Sequence, residues 1–198
     1  MTLPNKLTIT RLFSAPLVFG TWMLAFQMGW ATQTLSIVIW LLFIFSEITD
    51  VLDGHIARSR GLVSDVGKLM DPFSDVFLRV TYFLCFVASD LMPAWALVII
   101  LWREFGIMFI RMLLAREGEA LAANKGGKLK STLYFISGFM GLGVLTLQAW
   151  LPDFASMTMV IQLSSVLFML AAAASLISFI EYYRHFRQSE TFKKFIAE

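Results

Sequence analysis

Cysteine occurs once in this chain, at Cys85, and histidine twice, at His55 and His185. A single thiol excludes an intrachain disulfide and a thiolate-held metal, and so few sulfur and imidazole ligands disfavour zinc. Charge is also scarce. Asp, Glu, Lys and Arg make up 15% of the 198 residues, against roughly 25% in an ordinary soluble domain. Apolar residues fill the difference, at 58% of the chain with a mean hydropathy of +0.74. A soluble globular protein is excluded by that balance, and the bilayer becomes the main solvent. The length leaves no room for a second domain beside a set of membrane helices, so residues 1–198 are expected to form one domain. No internal repeat is evident.

Apolar windows of about 20 residues mark six expected spans, near 9–28, 34–53, 70–89, 93–115, 132–150 and 156–183. The fold class expected is all-α, an integral membrane bundle of six transmembrane helices. The connections at 29–33, 90–91 and 151–155 contain no Lys or Arg. The basic residues outside the third and fourth spans fall on the alternate segments: Lys6 and Arg11, then Arg58, Arg60 and Lys68, then Arg116, Lys125, Lys128 and Lys130, and last Arg184, Arg187, Lys193 and Lys194. The positive-inside rule then puts both termini in the cytoplasm. Lys6 and Arg11 before an apolar run resemble a secretion signal, but five more apolar spans follow, and the segment is read as an uncleaved first helix. The six tryptophans, Trp22, Trp30, Trp40, Trp95, Trp102 and Trp150, fall mostly near span ends and fit an interfacial belt. Gly138, Gly141 and Gly143 predict close helix contact in the fifth span. The basic tail from about residue 184 to 198 is expected to lie on the membrane surface through Phe186, Phe192 and Phe195.

Against this apolar background one block stands out: Asp50-x-x-Asp53-Gly54-x-x-Ala57-Arg58, eight further residues, then Gly67-x-x-x-Asp71-x-x-x-Asp75. Eight residues fixed at these spacings arise by chance on the order of 10⁻¹⁰ per start position at average residue frequencies. Asp50 and Asp53 share a helical face near the end of the second span, as do Asp71 and Asp75 at the start of the third. A short polar link brings the two helices back antiparallel, so the two acidic pairs are expected to face each other. Four carboxylates at one depth can hold one or two Mg²⁺, Mn²⁺ or Ca²⁺ ions. Intramembrane charge without such a partner is costly, and phosphate is the natural cargo of the metal. Gly54, Ala57 and Gly67 leave room beside the acids, and Arg58 can answer a phosphate. Glu47, one turn before Asp50, is a candidate supporting residue. His55 lies at a variable position of the block and is read as a polar interface residue.

The block resembles the signature of the CDP-alcohol phosphotransferase family, with all eight positions matched. Four further blocks, Pro4-Asn5-x-x-Thr8-x-x-Arg11, Arg103-Glu104-Phe105 with Arg111, Gly127-Lys128-x-Lys130, and Ile180-Glu181-Tyr182-Tyr183, resemble the phosphatidylglycerophosphate synthase branch. The resemblance implies a six-helix membrane bundle, usually a homodimer, with its active site open to the cytoplasm at the cell (inner) membrane. It implies transfer of the phosphatidyl group of CDP-diacylglycerol to sn-glycerol 3-phosphate, with CMP released and no nucleic acid involved. It assigns the binding of two Mg²⁺ or Mn²⁺ ions to Asp50, Asp53, Asp71 and Asp75, with Asp75 as general base and Asp71 beside it in the catalytic pair. Asn5, Asp50, Gly54, Ala57, Arg58, Ser64 and Gly67 are the expected contacts of the CDP-lipid.

A phosphorylated acceptor needs cations, and Arg103, Arg111, Lys128 and Lys130 are the candidates. An unpaired Arg inside a span costs at least about 2.5 kcal/mol, so an ion pair of Arg103 with Glu104 or Glu47 is the structural alternative. Two positions depart from the branch: Val76 follows Asp75 where Lys is usual, and Ser131 follows Lys130 where Thr is usual. Arg79, one turn after Asp75, is the nearest cation to the missing lysine. Other acceptors, inositol phosphate, serine or choline, remain open, and a cation transporter is a rival of a different class.

Overall fold

The structure, a computed structural model, describes the backbone of residues 3–59, 65–116, 118 and 125–197, and side chains at 8–50, 52, 70–116, 118, 127–189, 191–194 and 196. Six long helices follow the apolar periods: α1 (Leu3–Trp22), α2 (Thr32–Ser59), α3 (Asp65–Ala88), α4 (Ala94–Arg116), α5 (Lys125–Trp150) and α6 (Met157–Arg187), with a short α7 (Glu190–Ala197). No strand occurs among the described residues. A π-helical turn, Met23–Gln27, widens the end of α1. The chain reverses just beyond it through Gly29, at φ 67°, a left-handed conformation that glycine adopts without a Cβ clash.

Four helical segments are long and apolar enough to cross a membrane: Thr8–Gln27, Thr32–Asp50, Gly127–Trp150 and Met157–Arg187. The six expected spans thus appear as six long helices, four of them apolar enough to cross. The difference lies in charge. Every 18-residue stretch of α3 contains Asp71, Asp75 and Arg79, and every such stretch of α4 contains Arg103, Glu104 and Arg111. The two helices that fall short carry Asp71, Asp75, Arg79, Arg103, Glu104 and Arg111.

The bundle has an outside typical of a lipid-facing protein. Phe13, Leu17, Leu41, Val98, Met112, Leu129 and Met159 are exposed, while Ser14, Ser36, Ser46, Ser74, Ser137, Ser164, Ser175 and Ser178 are buried. Small hydroxyl residues at helix contacts let backbones approach where lipid supplies no hydrophobic drive between helices. Helices α2 and α3 both pack on α1, α5 packs on α6, and α4 lies against α6. At the centre Phe83, Phe86, Phe168 and Tyr134 meet edge-on or tilted, with ring centroids 5.4–6.4 Å apart. Cys85 is buried in this core, as a small apolar residue.

Three sequence expectations change in detail. Trp22 is buried and Trp40 half-buried, and each ties two helices together: Trp22 Nε1 donates to Ser89 Oγ at 3.0 Å, and Trp40 Nε1 donates to Thr146 Oγ1 at 2.7 Å. Gly141 is the glycine of α5 that a close contact requires, since a Cβ there would lie 2.9 Å from the buried Phe86 ring; Gly143 faces open space. In the tail, Phe186 is buried and Phe192 packs beside it, against Ile107, Ile110, Leu114 and Tyr182. These two aromatic residues of the tail therefore pack on protein at α4 and α6, while the side chain of Phe195 lies outside the described residues. An amphipathic pattern has the same form whether its partner is lipid or protein.

Candidate active site

Asp50 lies near the end of α2 and Asp75 near the start of α3, each roughly three turns in from the connection between them. Helix α1 separates the two helices here, and its side chains join them. Arg11, 1% exposed, donates from Nη1 to Asp50 Oδ1 at 2.5 Å and from the same nitrogen to Asp75 Oδ1. One turn earlier on α1, the buried Thr8 Oγ1 donates to Asp71 Oδ1. Of the two acidic pairs expected to face each other, Asp50 and Asp75 meet across the Arg11 guanidinium and Asp71 is held by Thr8 on the same helix; the side chain of Asp53 lies outside the described residues. Sequence reading placed Arg11 only as a topological charge and part of a resemblance. The available signal was Thr8-x-x-Arg11, two polar residues one turn apart inside an apolar helix.

The arrangement has a clear electrostatic logic. Arg11 is sequestered, whereas the side chains of Asp50 and Asp75 are 46% and 32% exposed. The cation comes from the protein interior and the acids keep an open side. A buried guanidinium without carboxylate partners would be prohibitive, so Arg11 and the acids require each other. Phe43, Ser46, Glu47, Leu78, Arg79 and Tyr82 complete a pocket around Arg11, Asp50 and Asp75.

The donor set fits a hard divalent cation in kind: it offers carboxylate oxygens, two of which already share one positive group. Among the described residues no three His, Cys, Asp or Glu side chains close around a single point. The side chains of Asp53, Gly54, Ala57, Arg58 and Gly67 lie outside the described residues, as do Asn5 and His55; Ser64 lies outside them altogether.

A second cavity adjoins the first. It is an open cleft of about 480 Å³ whose walls include Asp75, Arg79, Arg103, Glu104, Arg111, Lys128, Lys130 and Tyr182. All four cations proposed from sequence for a phosphate border it, in two kinds. Arg103 and Lys130 are buried and bound to Glu104, through Nη1 to Oε2 at 2.8 Å and Nζ to Oε1 at 2.6 Å. Arg103 Nη2 also donates to Ser178 Oγ at 3.2 Å, and its guanidinium lies 5.6 Å from the Tyr182 ring centre. Lys130 Nζ lies 4.6 Å from the Tyr134 ring centre, and the Tyr134 hydroxyl is held by Ser175 at 2.8 Å. The ion pair of Arg103 with Glu104 is thus present, and Lys130, on another helix, joins it. Arg111 and Lys128 are exposed and make no ion pair among the described residues. Arg79 borders both cavities and lies 5.6 Å from the Tyr134 ring centre.

This triad of Arg103, Glu104 and Lys130 ties α4 to α5 and forms the fixed back wall of the cleft. Removing one partner of a buried ion pair costs about 3–5 kcal/mol, because the other charges stay behind. Glu104→Gln leaves two buried cations sharing a neutral amide. We expect it to lower stability by about 3 kcal/mol, measured as a drop in the unfolding midpoint in detergent. Unchanged stability would mean that the triad does not carry its charges in the folded protein.

A model of the family described as CDP-alcohol phosphatidyltransferase matches residues 1–180. Among curated proteins, the chain is 48% identical over 102 residues to the CDP-diacylglycerol–glycerol-3-phosphate 3-phosphatidyltransferase of Treponema pallidum, a match covering 52% of this chain and 47% of that protein. It is 34% identical over 141 residues to the Bacillus subtilis protein of the same name, covering 68% of this chain and 73% of the relative. It is 32% identical over 145 residues to a probable phosphatidylglycerophosphate synthase of Mycobacterium tuberculosis, covering 73% of this chain and 66% of the relative. The chain thus spans about half the length of the first of these relatives and about two thirds or more of the other two. An acid block held around one face of α1, an adjoining cationic cleft and a family match over nearly the whole length agree: the chain belongs to the CDP-alcohol phosphatidyltransferase family.

Proposed function

We propose that the protein transfers the phosphatidyl group of CDP-diacylglycerol to sn-glycerol 3-phosphate, forming phosphatidylglycerol phosphate and releasing CMP. The observation that carries this reading is the position of Asp75, which borders both the acid pocket and the cation-lined cleft. A carboxylate at that junction can reach an acceptor whose phosphate lies in the cleft and whose hydroxyl points toward the acids. Relatives named for the same transfer support the choice of lipid donor and acceptor.

In this reading Asp50, Asp53, Asp71 and Asp75 hold the divalent metal on which members of the family generally depend, as two Mg²⁺ or Mn²⁺ ions. The chemistry such ions supply is neutralisation of a diphosphate and of the oxygen that leaves with CMP. Asp75 takes the proton of the acceptor hydroxyl. The hydroxyl oxygen forms a bond to the lipid-bearing phosphorus as the bond from that phosphorus to the CMP oxygen breaks. Asn5, Gly54, Ala57, Arg58, Ser64 and Gly67 line the nucleotide side. Arg111 and Lys128, free to turn, grip the acceptor phosphate, while Arg103 and Lys130 add positive potential from the fixed wall. Arg79 supplies the charge missing at Val76.

The six long helices span the cell membrane with both termini and the site facing the cytoplasm, as a homodimer. A charged cleft at one end of the bundle supports an enzyme over a transporter, whose ion site belongs near the midplane. The discriminating experiment is CMP release from CDP-diacylglycerol by the purified protein with each alcohol in turn. Release is expected with glycerol 3-phosphate and not with serine or choline. Release with serine and none with glycerol 3-phosphate would overturn the acceptor.

A further inference from the structure

Arg11 has the environment that a bound cation would have. Its Nη1 lies between Oδ1 of Asp50 on α2 and Oδ1 of Asp75 on α3, and Thr8, one turn away on the same helix, holds Asp71. The guanidinium is 1% exposed, so it approaches from inside the bundle, opposite to the open side of the two acids. We infer that Arg11 is a built-in counter-cation of the acid cluster, which holds Asp50 and Asp75 together without metal and competes with a divalent ion for the same carboxylates. This rests on the proposal that these acids bind a divalent ion.

The physical basis is direct. Two carboxylates from different helices repel at short range, and the first helix supplies the charge that lets them approach. A divalent ion arriving from the open side meets ligands already engaged by a positive group. It must either draw oxygens away from Nη1 or bind within contact range of a like charge. Arg11 thereby positions the acids and limits how tightly they take the metal. Tight binding is of no use to a site that must also admit and release a nucleotide diphosphate.

The test uses the full chain in detergent, without lipid substrate, and compares wild type, Arg11→Gln and Arg11→Lys. Mn²⁺ affinity is read from the paramagnetic signal of free ion, and thermal unfolding is followed with chelator and with Mn²⁺. Arg11→Gln is expected to bind Mn²⁺ at least tenfold more tightly than wild type. It is also expected to unfold at a lower temperature in chelator, with most of that deficit erased by Mn²⁺. Arg11→Lys, which keeps the charge as a compact ammonium, is expected to lie between the two on both measures. Equal or weaker Mn²⁺ binding by Arg11→Gln overturns the inference, as does a chelator deficit that Mn²⁺ leaves unchanged. So does an Arg11→Gln chain that stays unfolded under saturating Mn²⁺ while Arg11→Lys folds and binds as wild type does. If wild type itself takes up no Mn²⁺, the metal reading fails with it; if wild type and Arg11→Gln bind alike, the metal reading stands and only the counter-cation role is lost.

Discussion

Asp75→Asn abolishes transfer in a protein that still folds, at a lower unfolding temperature because Arg11 keeps Asp50 but loses one of its two carboxylate partners. Asparagine matches the shape of aspartate but neither accepts a proton from an attacking hydroxyl nor binds a hard cation as strongly. Loss of a positioned general base typically removes 10²–10⁴ of the rate, and loss of a metal ligand adds to that. The variant is therefore expected to retain less than about 1% of the wild-type kcat. Asp71→Asn makes the companion experiment, because the amide oxygen can still accept the hydrogen bond that Thr8 Oγ1 donates to Asp71 in the wild type. Its fold should be untouched and its activity should fall comparably. The measurement is CMP release under saturating donor and acceptor, alongside a thermal unfolding trace. Either variant working within tenfold of wild type would remove the acids from the chemistry.

Arg111→Gln and Lys128→Gln are expected to act on the acceptor alone. Both side chains are exposed in the cleft and make no ion pair among the described residues, so neither change should cost stability. A hydrogen bond to a charged group contributes about 1.5–3 kcal/mol, so each substitution should lower kcat/KM for glycerol 3-phosphate by about 10- to 100-fold. The loss should appear mainly as a raised KM for glycerol 3-phosphate, with the KM for CDP-diacylglycerol little changed. An equal rise for both substrates would move these residues to the donor. No change in either would leave the cleft without a role in phosphate recognition.

The acid block was legible as a sequence, because eight residues at such spacing do not arise by chance in an apolar chain, and the structure brings Asp50, Asp71 and Asp75 of it to side chains of α1. The helices were legible for a similar reason, since long apolar runs have few alternatives in lipid. What escaped was three-dimensional. Arg11 read as a charge that sets topology, because nothing local reveals that α1 passes between the helices that carry Asp50 and Asp75. Glu104 next to Arg103 suggested a pair, but Lys130, on α5, completes it only through packing of two distant segments. Helices α3 and α4 carry too many charges to meet the composition of a membrane span, and five of those charges, Asp75, Arg79, Arg103, Glu104 and Arg111, line the cavities. Phe186 and Phe192 of the tail pack against Ile107, Ile110 and Leu114 of α4, a neighbour that the tail's own pattern does not reveal. Patterns set by one helix and its solvent were readable; those set by which helix becomes whose neighbour were not.

The most direct measurement is an anomalous difference map from crystals of the protein soaked with Mn²⁺ and a cytidine diphosphate lipid. The account predicts two manganese peaks bounded by Asp50, Asp53, Asp71 and Asp75, with the lipid's diphosphate against them and the cation-lined cleft open beside Asp75. A lipid bound elsewhere on the bundle, or manganese absent from those carboxylates, would contradict it.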